Sequence, residues 1–170
     1  MTEQPAAMPA QSRQTTQRWA WTVATFFGAG FGKPGPGTWG SVAAGLLWAA
    51  VAWGLHPAAP ILGLLLLAGI ALSLILGIPA ATIVARESGR EDPGFVVIDE
   101  VAGQWIALLG SHANWRHALL ALILFRLFDI TKPYPIRRLE DLPEGWGIVL
   151  DDVLAGLYAL GVASLLHIWI

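Results

Sequence analysis

The sequence predicts an all-α, polytopic membrane protein, and its composition and its apolar runs are the two observations behind this fold class. Of the 170 residues, 55% are hydrophobic and only 13% carry a charge, whereas soluble domains have about 25% charged residues. The mean hydropathy is +0.59. We therefore expect about four to five apolar helices, with the functional loops gathered on the cytoplasmic face.

Five apolar runs divide the chain, and a shorter apolar stretch precedes them. They are residues 38–55, 61–85, 96–109, 118–130 and 153–170, after 19–27. Because a spanning helix needs about 20 residues, only the second and fifth runs approach or exceed a full span. The third and fourth runs are either half-buried spans or a re-entrant hairpin, and both versions return the chain to the same side of the membrane.

Composition also limits the domain organisation and the function classes. Residues 1–18 are polar and contain Pro5 and Pro9, which is typical of a disordered tail rather than a signal peptide. Residues 19–170 are then one membrane domain. The net charge of -2 argues against a nucleic-acid partner. The absence of cysteine excludes disulfide scaffolds, thiolate catalysis and zinc–thiolate sites.

The positive charges predict the orientation. If the first long helix leaves the cytoplasm at Thr38, nine of the ten lysine and arginine residues fall on the inner side, and only Arg116 falls outside. By the positive-inside rule, the N-terminus and the loops with the acids are cytoplasmic. All twelve acids share that side, either because the outer loops are short or because an active site lies on one face. We favour the active site.

Five carboxylates stand at the edges of the apolar runs: Asp99, Glu100, Asp129, Asp151 and Asp152. Charges beside the hydrocarbon are costly and usually face a polar cavity. The helix dipole favours acids in a first helical turn, but it does not explain a pair that already follows apolar residues. Adjacent carboxylates raise each other's pKa unless a cation intervenes. Two such pairs and Asp129 therefore predict one or two Mg²⁺ ions, which prefer oxygen ligands.

Cationic residues near these acids suggest phosphate contacts. Arg126 and Asp129 are i,i+3 neighbours, and an intrahelical ion pair explains them adequately. Lys132 continues the same helix face and has no partner in this ion pair, so it could contact a phosphate. Arg137 and Arg138 follow two prolines, and a plain surface position and a contact with anionic headgroups are equally supported for them.

A glycine-rich segment, residues 28–41, precedes the first long helix. Thr38 can cap that helix, and a helix N-terminus with Lys33 beside it attracts phosphate. Glycine and proline also simply bend and end chains. Spacing alone favours this structural alternative.

The remaining nucleophiles narrow the reaction class. The chain has no cysteine, its four histidines map to the outer side, and residues 129–131 lack the second aspartate of a haloacid-dehalogenase motif. Covalent histidine, cysteine or aspartate phosphatase chemistry is therefore not indicated. Attack by water with the help of a metal is left.

Four motifs, in this order, resemble the phosphatidylglycerophosphatase A family. They are Gly-Thr-Trp-Gly-Ser at 37–41, Val-Ile-Asp-Glu-Val-Ala-Gly at 97–103, Phe-Arg-Leu-Phe-Asp-Ile-Thr-Lys-Pro at 125–133, and Gly-Ile-Val-Leu-Asp-Asp-Val-Leu-Ala-Gly at 147–156. The resemblance implies an all-helical, Mg²⁺-dependent enzyme of the bacterial cell inner membrane. Its reaction would remove the terminal phosphate of phosphatidylglycerophosphate and give phosphatidylglycerol.

The residues and the resemblance together give a set of expected roles. The expected catalytic residues are Asp99, Glu100, Asp129, Lys132, Asp151 and Asp152. The expected metal ligands are Asp99, Glu100, Asp151 and Asp152. The expected substrate-binding residues are Lys33, Thr38, Arg126, Arg137 and Arg138. The expected partners are the phospholipid substrate and the membrane, while headgroup selectivity, metal count and oligomeric state stay open.

Two other functions compete with this hypothesis. A cation-coupled membrane transporter or a membrane scaffold would also use an acidic inner face, but a transport pathway needs polar residues through the bilayer. Residues 61–85 offer only Ser73 and Thr82. A phosphatidyltransferase would carry an extended acidic signature, which this sequence lacks.

Overall fold

The computed structural model describes residues 10–111 and 113–166, and this part of the chain is entirely helical, without strands. Two short 3₁₀ turns, Ala29–Phe31 and Ile136–Arg138, accompany the α-helices. The α-helices are α1 (Ala10–Ala24), α2 (Pro36–Gly54), α3 (Ala59–Ser88), α4 (Ile98–Leu108), α5 (Trp115–Thr131) and α6 (Gly145–Leu166). The all-α prediction is confirmed.

Two of the described helices, α3 and α6, are long and apolar enough to cross a membrane. They contain the second apolar run and the described part of the fifth, and they are fewer than the four to five apolar helices expected from the sequence. Helix α4 has 11 residues and α5 has 17, so they extend only about 16 Å and about 25 Å. Both are shorter than the hydrocarbon core of about 30 Å.

Helix α3 carries apolar side chains on its exposed surface as well as on its packed side. Leu64, Leu72 and Ile75 are more than half exposed, while Leu66 and Ile70 are buried. Exposing such an apolar surface to water is unfavourable, whereas contact with lipid hydrocarbon is not. The exposed side of α3 is therefore consistent with lipid contact.

The short helix α4 is the centre of the bundle. It packs against α2, α3, α5 and α6, and nine of its eleven residues are buried. The side chain of Trp105 crosses to α2, where its Nε1 donates a hydrogen bond to the carbonyl oxygen of Ala44 at 3.0 Å. Helix α4 is thus held inside the protein, together with the side chains of its first turn.

The end of helix α1 lies against the residues that precede α4. It includes residues 10–18, which were expected to belong to a polar tail, while residues 1–9 lie outside the described residues. The extent of the tail therefore stays a prediction. The amide of Val97 donates to the carbonyl oxygen of Ala24 at 2.8 Å, and Trp21 stacks on Phe95. These contacts fix the residue that precedes α4.

Two glycines allow α4 and α6 to cross closely. A Cβ atom added to Gly156 would lie 2.5 Å from the carbonyl oxygen of Gly103, and one added to Gly103 would lie 2.6 Å from the carbonyl oxygen of Asp152. Each glycine follows an acidic residue, Asp99 or Asp152, by four positions, which is about one turn on the same helix face. The crossing therefore brings these two carboxylates together.

Candidate active site

Three carboxylates from two helices converge at the crossing of α4 and α6. Asp99 and Glu100 occupy the first turn of α4, and Asp152 comes from α6. One carboxylate oxygen of each lies within 4.8 Å of the others. Asp99 and Asp152 are only 8% and 3% exposed. Three oxygen donors so close together form a donor set suited to a hard divalent cation.

Two oxygens of this cluster have no hydrogen-bond partner among the described residues. They are Oδ1 of Asp99 and Oε2 of Glu100, and both are buried. A buried carboxylate oxygen without a donor is costly. A metal ion would supply the missing positive partner, so the residues present fit one.

Burial also disfavours the charges at the start of α4. It raises the pKa of Asp99 well above its usual value, and the neighbouring charge of Glu100 adds to the shift. Burial likewise raises the pKa of Glu100. Both groups therefore carry negative charge at a cost, and a bound cation would offset that cost.

Asp151 has a different environment from its neighbour Asp152. Its Oδ2 accepts a hydrogen bond from Nζ of Lys132 at 2.7 Å, and its Oδ1 accepts one from the amide of Asp152 at 2.9 Å. Both oxygens thus have protein partners. The sequence predicts Asp151 as a metal ligand, but the structure brings it to a lysine, and its role as a ligand stays a prediction.

Lys132 is the ammonium group that these acids surround. It follows α5 in a left-handed conformation, with φ of 42°, and its Nζ also donates to Oε1 of Glu140 at 2.5 Å. Burial disfavours the charged form, but the hydrogen bonds to Asp151 and Glu140 outweigh it and raise the pKa of Lys132 above its usual value. Lys132 therefore stays protonated and can meet a phosphate oxygen.

Arg126 connects α5 to the carboxylate cluster. Its Nη1 lies 2.5 Å from Oδ2 of Asp129, one turn along the same helix, and 3.6 Å from Oε1 of Glu100 on α4. The expected intrahelical ion pair is present. It also places a positive charge beside the metal-ligand candidates, so Asp129 and Glu100 share one cation.

A cavity of about 840 Å³ opens beside the cluster. All six residues expected to be catalytic line it: Asp99, Glu100, Asp129, Lys132, Asp151 and Asp152. Residues that are distant in the sequence thus share one wall. The structure brings these six side chains together, and their catalytic roles stay a proposal.

Several cavity residues were not singled out from the sequence for a functional role. They are Arg86, Arg90, Glu91, Asp92, Glu140, Asp141 and Glu144. Arg86 is in the last turn of α3, and the others belong to the two polar segments that follow α3 and α5. The positive-inside rule predicts both segments on the inner side of the membrane. This shared side was a signal in the sequence that they could lie near the acids, but it was not specific enough to select single residues.

The expected substrate-binding residues are mostly elsewhere. Lys33 and Thr38 are exposed, and Lys33 lines a separate small surface cavity beside Trp39. Arg137 and Arg138 are exposed as well, and the guanidinium of Arg138 lies over the ring of Tyr134 at 4.8 Å. None of these four lines the large cavity. Their substrate contacts stay predictions.

The glycine-rich segment reaches the site through its backbone. A Cβ atom added to Gly37, in the first turn of α2, would collide with the Glu100 carboxylate and lie 3.0 Å from Nη1 of Arg126. The hydroxyl of Ser41 donates to the carbonyl oxygen of Gly37 at 2.9 Å. Position 37 therefore requires glycine, because α2 closes directly on Glu100.

Helix α6 begins earlier than its apolar run. It starts at Gly145, so Asp151 and Asp152 lie in its second turn, whereas the sequence predicts the pair at the helix N-terminus. A Cβ atom on Gly145 would collide with the carbonyl oxygen of Ile78 on α3, and the amide of Gly145 donates to Oγ1 of Thr82. These contacts fix the start of α6 against α3.

Comparison with known proteins finds a family model and several relatives that match this chain. The family model described as Phosphatidylglycerophosphatase A matches residues 22–167. A Bacteroides thetaiotaomicron protein named "Putative phosphatidylinositol-3-phosphatase" is 40% identical over 142 residues, which is 81% of this chain and 86% of that protein. No solved structure matches the chain.

Two further relatives carry the family's name. The Haemophilus influenzae phosphatidylglycerophosphatase A is 37% identical over 150 residues, 86% of this chain and 88% of that protein. The Escherichia coli phosphatidylglycerophosphatase A is 31% identical over 153 residues, 86% of this chain and 83% of that protein. The family match spans the whole carboxylate cluster and the cavity. The chain belongs to the phosphatidylglycerophosphatase A family, a family of phosphoric monoester hydrolases.

Proposed function

We propose that this protein is a Mg²⁺-dependent lipid phosphatase that hydrolyses the terminal phosphate of phosphatidylglycerophosphate. The product is phosphatidylglycerol, so the reaction belongs to phospholipid biosynthesis. The observation that carries the proposal is the convergence of Asp99, Glu100 and Asp152, with two buried oxygens that lack partners. Family membership and two relatives named for this activity support the choice of substrate.

The side chains divide the chemistry between them. Asp99, Glu100 and Asp152 would hold Mg²⁺, which when bound neutralises phosphate charge and favours ionisation of water. Lys132, kept protonated by Asp151, would stabilise the negative charge that develops on the phosphate oxygens. Asp129, held by Arg126, would accept a hydrogen bond from the attacking water and orient it. Water then replaces the alcohol on phosphorus, and the products are phosphatidylglycerol and inorganic phosphate.

The cavity position suits a lipid headgroup. Arg86 is in the last turn of α3, and Asp151 and Asp152 are in the second turn of α6, so the cavity lies at the same end of both candidate spans. We place this end on the cytoplasmic face of the bacterial inner membrane, in a multi-pass protein, because the positive-inside rule favours it. The lipid's headgroup then enters the cavity while its tails stay in the bilayer.

Transport of a cation is less well supported. Within the apolar run of α3, Ser73 and Thr82 are the polar side chains, and Thr82 already accepts the amide hydrogen of Gly145. The described carboxylates gather at one end of the spans instead of along them. A hydrolytic site at a membrane surface explains this distribution, whereas a transmembrane pathway does not.

The test is release of inorganic phosphate by the purified full-length protein in mixed micelles. Wild type is assayed on phosphatidylglycerophosphate with Mg²⁺ and with a chelator, beside Asp152→Asn. The matched control is Glu87→Gln, which changes an exposed carboxylate outside the cavity. We expect release only with Mg²⁺, strong loss in Asp152→Asn and near-normal release in Glu87→Gln.

Other outcomes would separate the parts of the proposal. If Asp152→Asn in the chelator releases as much phosphate as wild type does with Mg²⁺, the metal mechanism is contradicted. Phosphatidylinositol 3-phosphate serves as the second substrate because of the name of the Bacteroides relative. Release from that lipid alone would keep the phosphatase chemistry and contradict the substrate.

A further inference from the structure

We propose that Arg86 and Arg90 form a second phosphate subsite, which binds the phosphodiester of the lipid substrate and thereby contributes to headgroup selectivity. The inference rests on the proposed function, because it concerns the same cavity. It assigns a role to two arginines that the sequence did not single out. Three features of the cavity support this subsite: its charge balance, the position of the two arginines and the weakness of their present contacts.

The cavity is strongly acidic, and its few cations are unevenly committed. Among the described residues, ten carboxylates and three cationic side chains line it. Lys132 is bound by two carboxylates, Asp151 and Glu140, and lies beside the metal-ligand candidates. Arg86 and Arg90 are the other two cations of this lining. A second anionic group in the cavity would therefore be attracted to these arginines.

The proposed substrate has two phosphates of different kinds. The terminal monoester is hydrolysed, and the phosphodiester, one glycerol unit away, stays attached to the lipid tails. If the monoester occupies the site of Lys132 and the carboxylate trio, the phosphodiester must lie nearer the membrane surface. The cavity then needs a positive charge at a shallower position.

Arg86 and Arg90 occupy such a position. Arg86 is in the last turn of α3, a candidate span, and Arg90 follows Gly89, whose φ of 68° ends the helix. The Arg86 side chain is 68% exposed, whereas that of Lys132 is 24% exposed. Arginines at the end of a membrane helix extend to the headgroup level, where phosphodiesters lie.

The contacts of these arginines are easily exchanged. Arg86 forms an ion pair with Glu144, in the turn before α6, and the two side chains are 68% and 45% exposed. Exposed ion pairs are weak. The Arg90 side chain has no ion pair or hydrogen bond among the described residues. A phosphodiester can therefore replace Glu144, and a guanidinium binds phosphate oxygens through two parallel hydrogen bonds.

A structural clasp is the alternative role for Arg86. The ion pair joins the end of α3 to the start of α6, and a clasp would need both partners equally. Loss of Arg86 or of Glu144 would then have the same effect. A substrate-binding Arg86 predicts opposite effects, because Glu144 competes with the phosphodiester for it.

The experiment uses purified full-length protein and two inhibitors of different chemistry. Phosphatidylglycerol carries the phosphodiester without the monoester, and inorganic phosphate represents the monoester without the diester. Both are measured against hydrolysis of phosphatidylglycerophosphate by wild type, Arg86→Gln, Arg90→Gln, the double variant and Glu144→Gln. Arg116→Gln is the control, since Arg116 is an exposed arginine outside the cavity.

We expect the double variant to raise KM and the inhibition constant of phosphatidylglycerol by about 10- to 100-fold. The turnover number and the inhibition constant of inorganic phosphate should change less than about threefold, by the same reasoning, because the reacting end keeps its contacts. Glu144→Gln should lower KM, and Arg86→Lys should recover part of the binding. Arg116→Gln should match wild type.

Two results would overturn the inference. One is equal loss of turnover in Arg86→Gln and Glu144→Gln, with a lowered unfolding temperature in both, which would identify a clasp. The other is an unchanged inhibition constant of phosphatidylglycerol in the double variant. If wild type hydrolyses only phosphatidylinositol 3-phosphate, the proposed function fails, but that lipid also has a phosphodiester, and the same comparison decides the inference.

Discussion

The two acidic pairs of this protein look alike in the sequence, but their surroundings differ. Asp99 and Glu100 both face the carboxylate cluster from the first turn of α4, and each has a buried oxygen without a partner. On α6, Asp152 joins that cluster, whereas Asp151 binds Lys132. Neighbouring residues on a helix point about 100° apart, so one pair can serve two partners. Similar spacing therefore does not imply similar roles.

The largest effect should separate Asp152 from Asp151. We expect Asp152→Asn to lower the turnover number by about 10³-fold, because loss of a ligand removes several kcal/mol of metal stabilisation. Asp151→Asn, which removes a partner of Lys132, should cost about tenfold. Steady-state phosphate release over a Mg²⁺ titration measures both. Equal losses, with equally weakened Mg²⁺ dependence, would show that Asp151 is a fourth metal ligand, as the sequence predicts.

A second comparison removes the lysine that distinguishes the pairs. Lys132→Gln leaves the Asp151 carboxylate without its cation and should lower the turnover number by about 10- to 100-fold. The double variant with Asp151→Asn should lose less than the two single losses combined, because the side chains act as a unit. Turnover numbers of all three variants give the coupling. Full additivity would mean that Asp151 does not act through Lys132.

The crossing of α4 and α6 can be broken without touching a charge. Gly156→Ala should destabilise the protein by about 1–3 kcal/mol, because its Cβ would meet the Gly103 backbone. The control on the same helix is Gly161→Ala, where no atom of the described residues outside the adjacent helix backbone lies within 4 Å of the new Cβ, and the better helix propensity should stabilise slightly. Thermal unfolding followed by tryptophan fluorescence measures both. The same shift in both variants would contradict the close crossing.

The smallest effect is a dependence of stability on pH without metal. The pKa values of Asp99 and Glu100 are raised in the folded protein, so the folded state takes up protons more readily than the unfolded state. Lowering the pH from about 7.5 to about 5.5 in a chelator should therefore raise the unfolding temperature. Asp99→Asn should show less of this rise.

Stabilisation by Mg²⁺ at Asp99 and Glu100 should depend on pH in the opposite direction. Because Mg²⁺ competes with protons for the carboxylates, its stabilising effect should be larger at the higher pH. Unfolding temperatures with and without Mg²⁺ at both pH values test this. A Mg²⁺ effect that does not depend on pH would contradict binding at Asp99 and Glu100.

Much of the fold and part of the site could be predicted from the sequence. The apolar runs indicated the helical class, and the six acidic and basic residues of the motifs do meet in one cavity. Of the four to five apolar helices expected, two described helices are long and apolar enough to cross a membrane, and the α4 run is apolar because it is buried inside the bundle. Hydropathy does not distinguish burial inside the protein from contact with lipid.

Other features depended on tertiary contacts. The start of α6 at Gly145 is fixed by Ile78 and Thr82 on α3, and local propensity does not report such partners. The split between Asp151 and Asp152 depends on Lys132 from another segment. The role of Gly37 was hidden for the same reason, since only the folded chain shows that Glu100 lies against it.

The crossing of α4 and α6 also has a consequence for biogenesis. Asp99 and Glu100 are synthesised well before Asp152, which lies on the last of the described helices. A nascent chain that has formed only α1 to α5 therefore lacks the third oxygen donor. Activity should arise in a single step, when α6 docks on α4, so that incomplete chains stay inert.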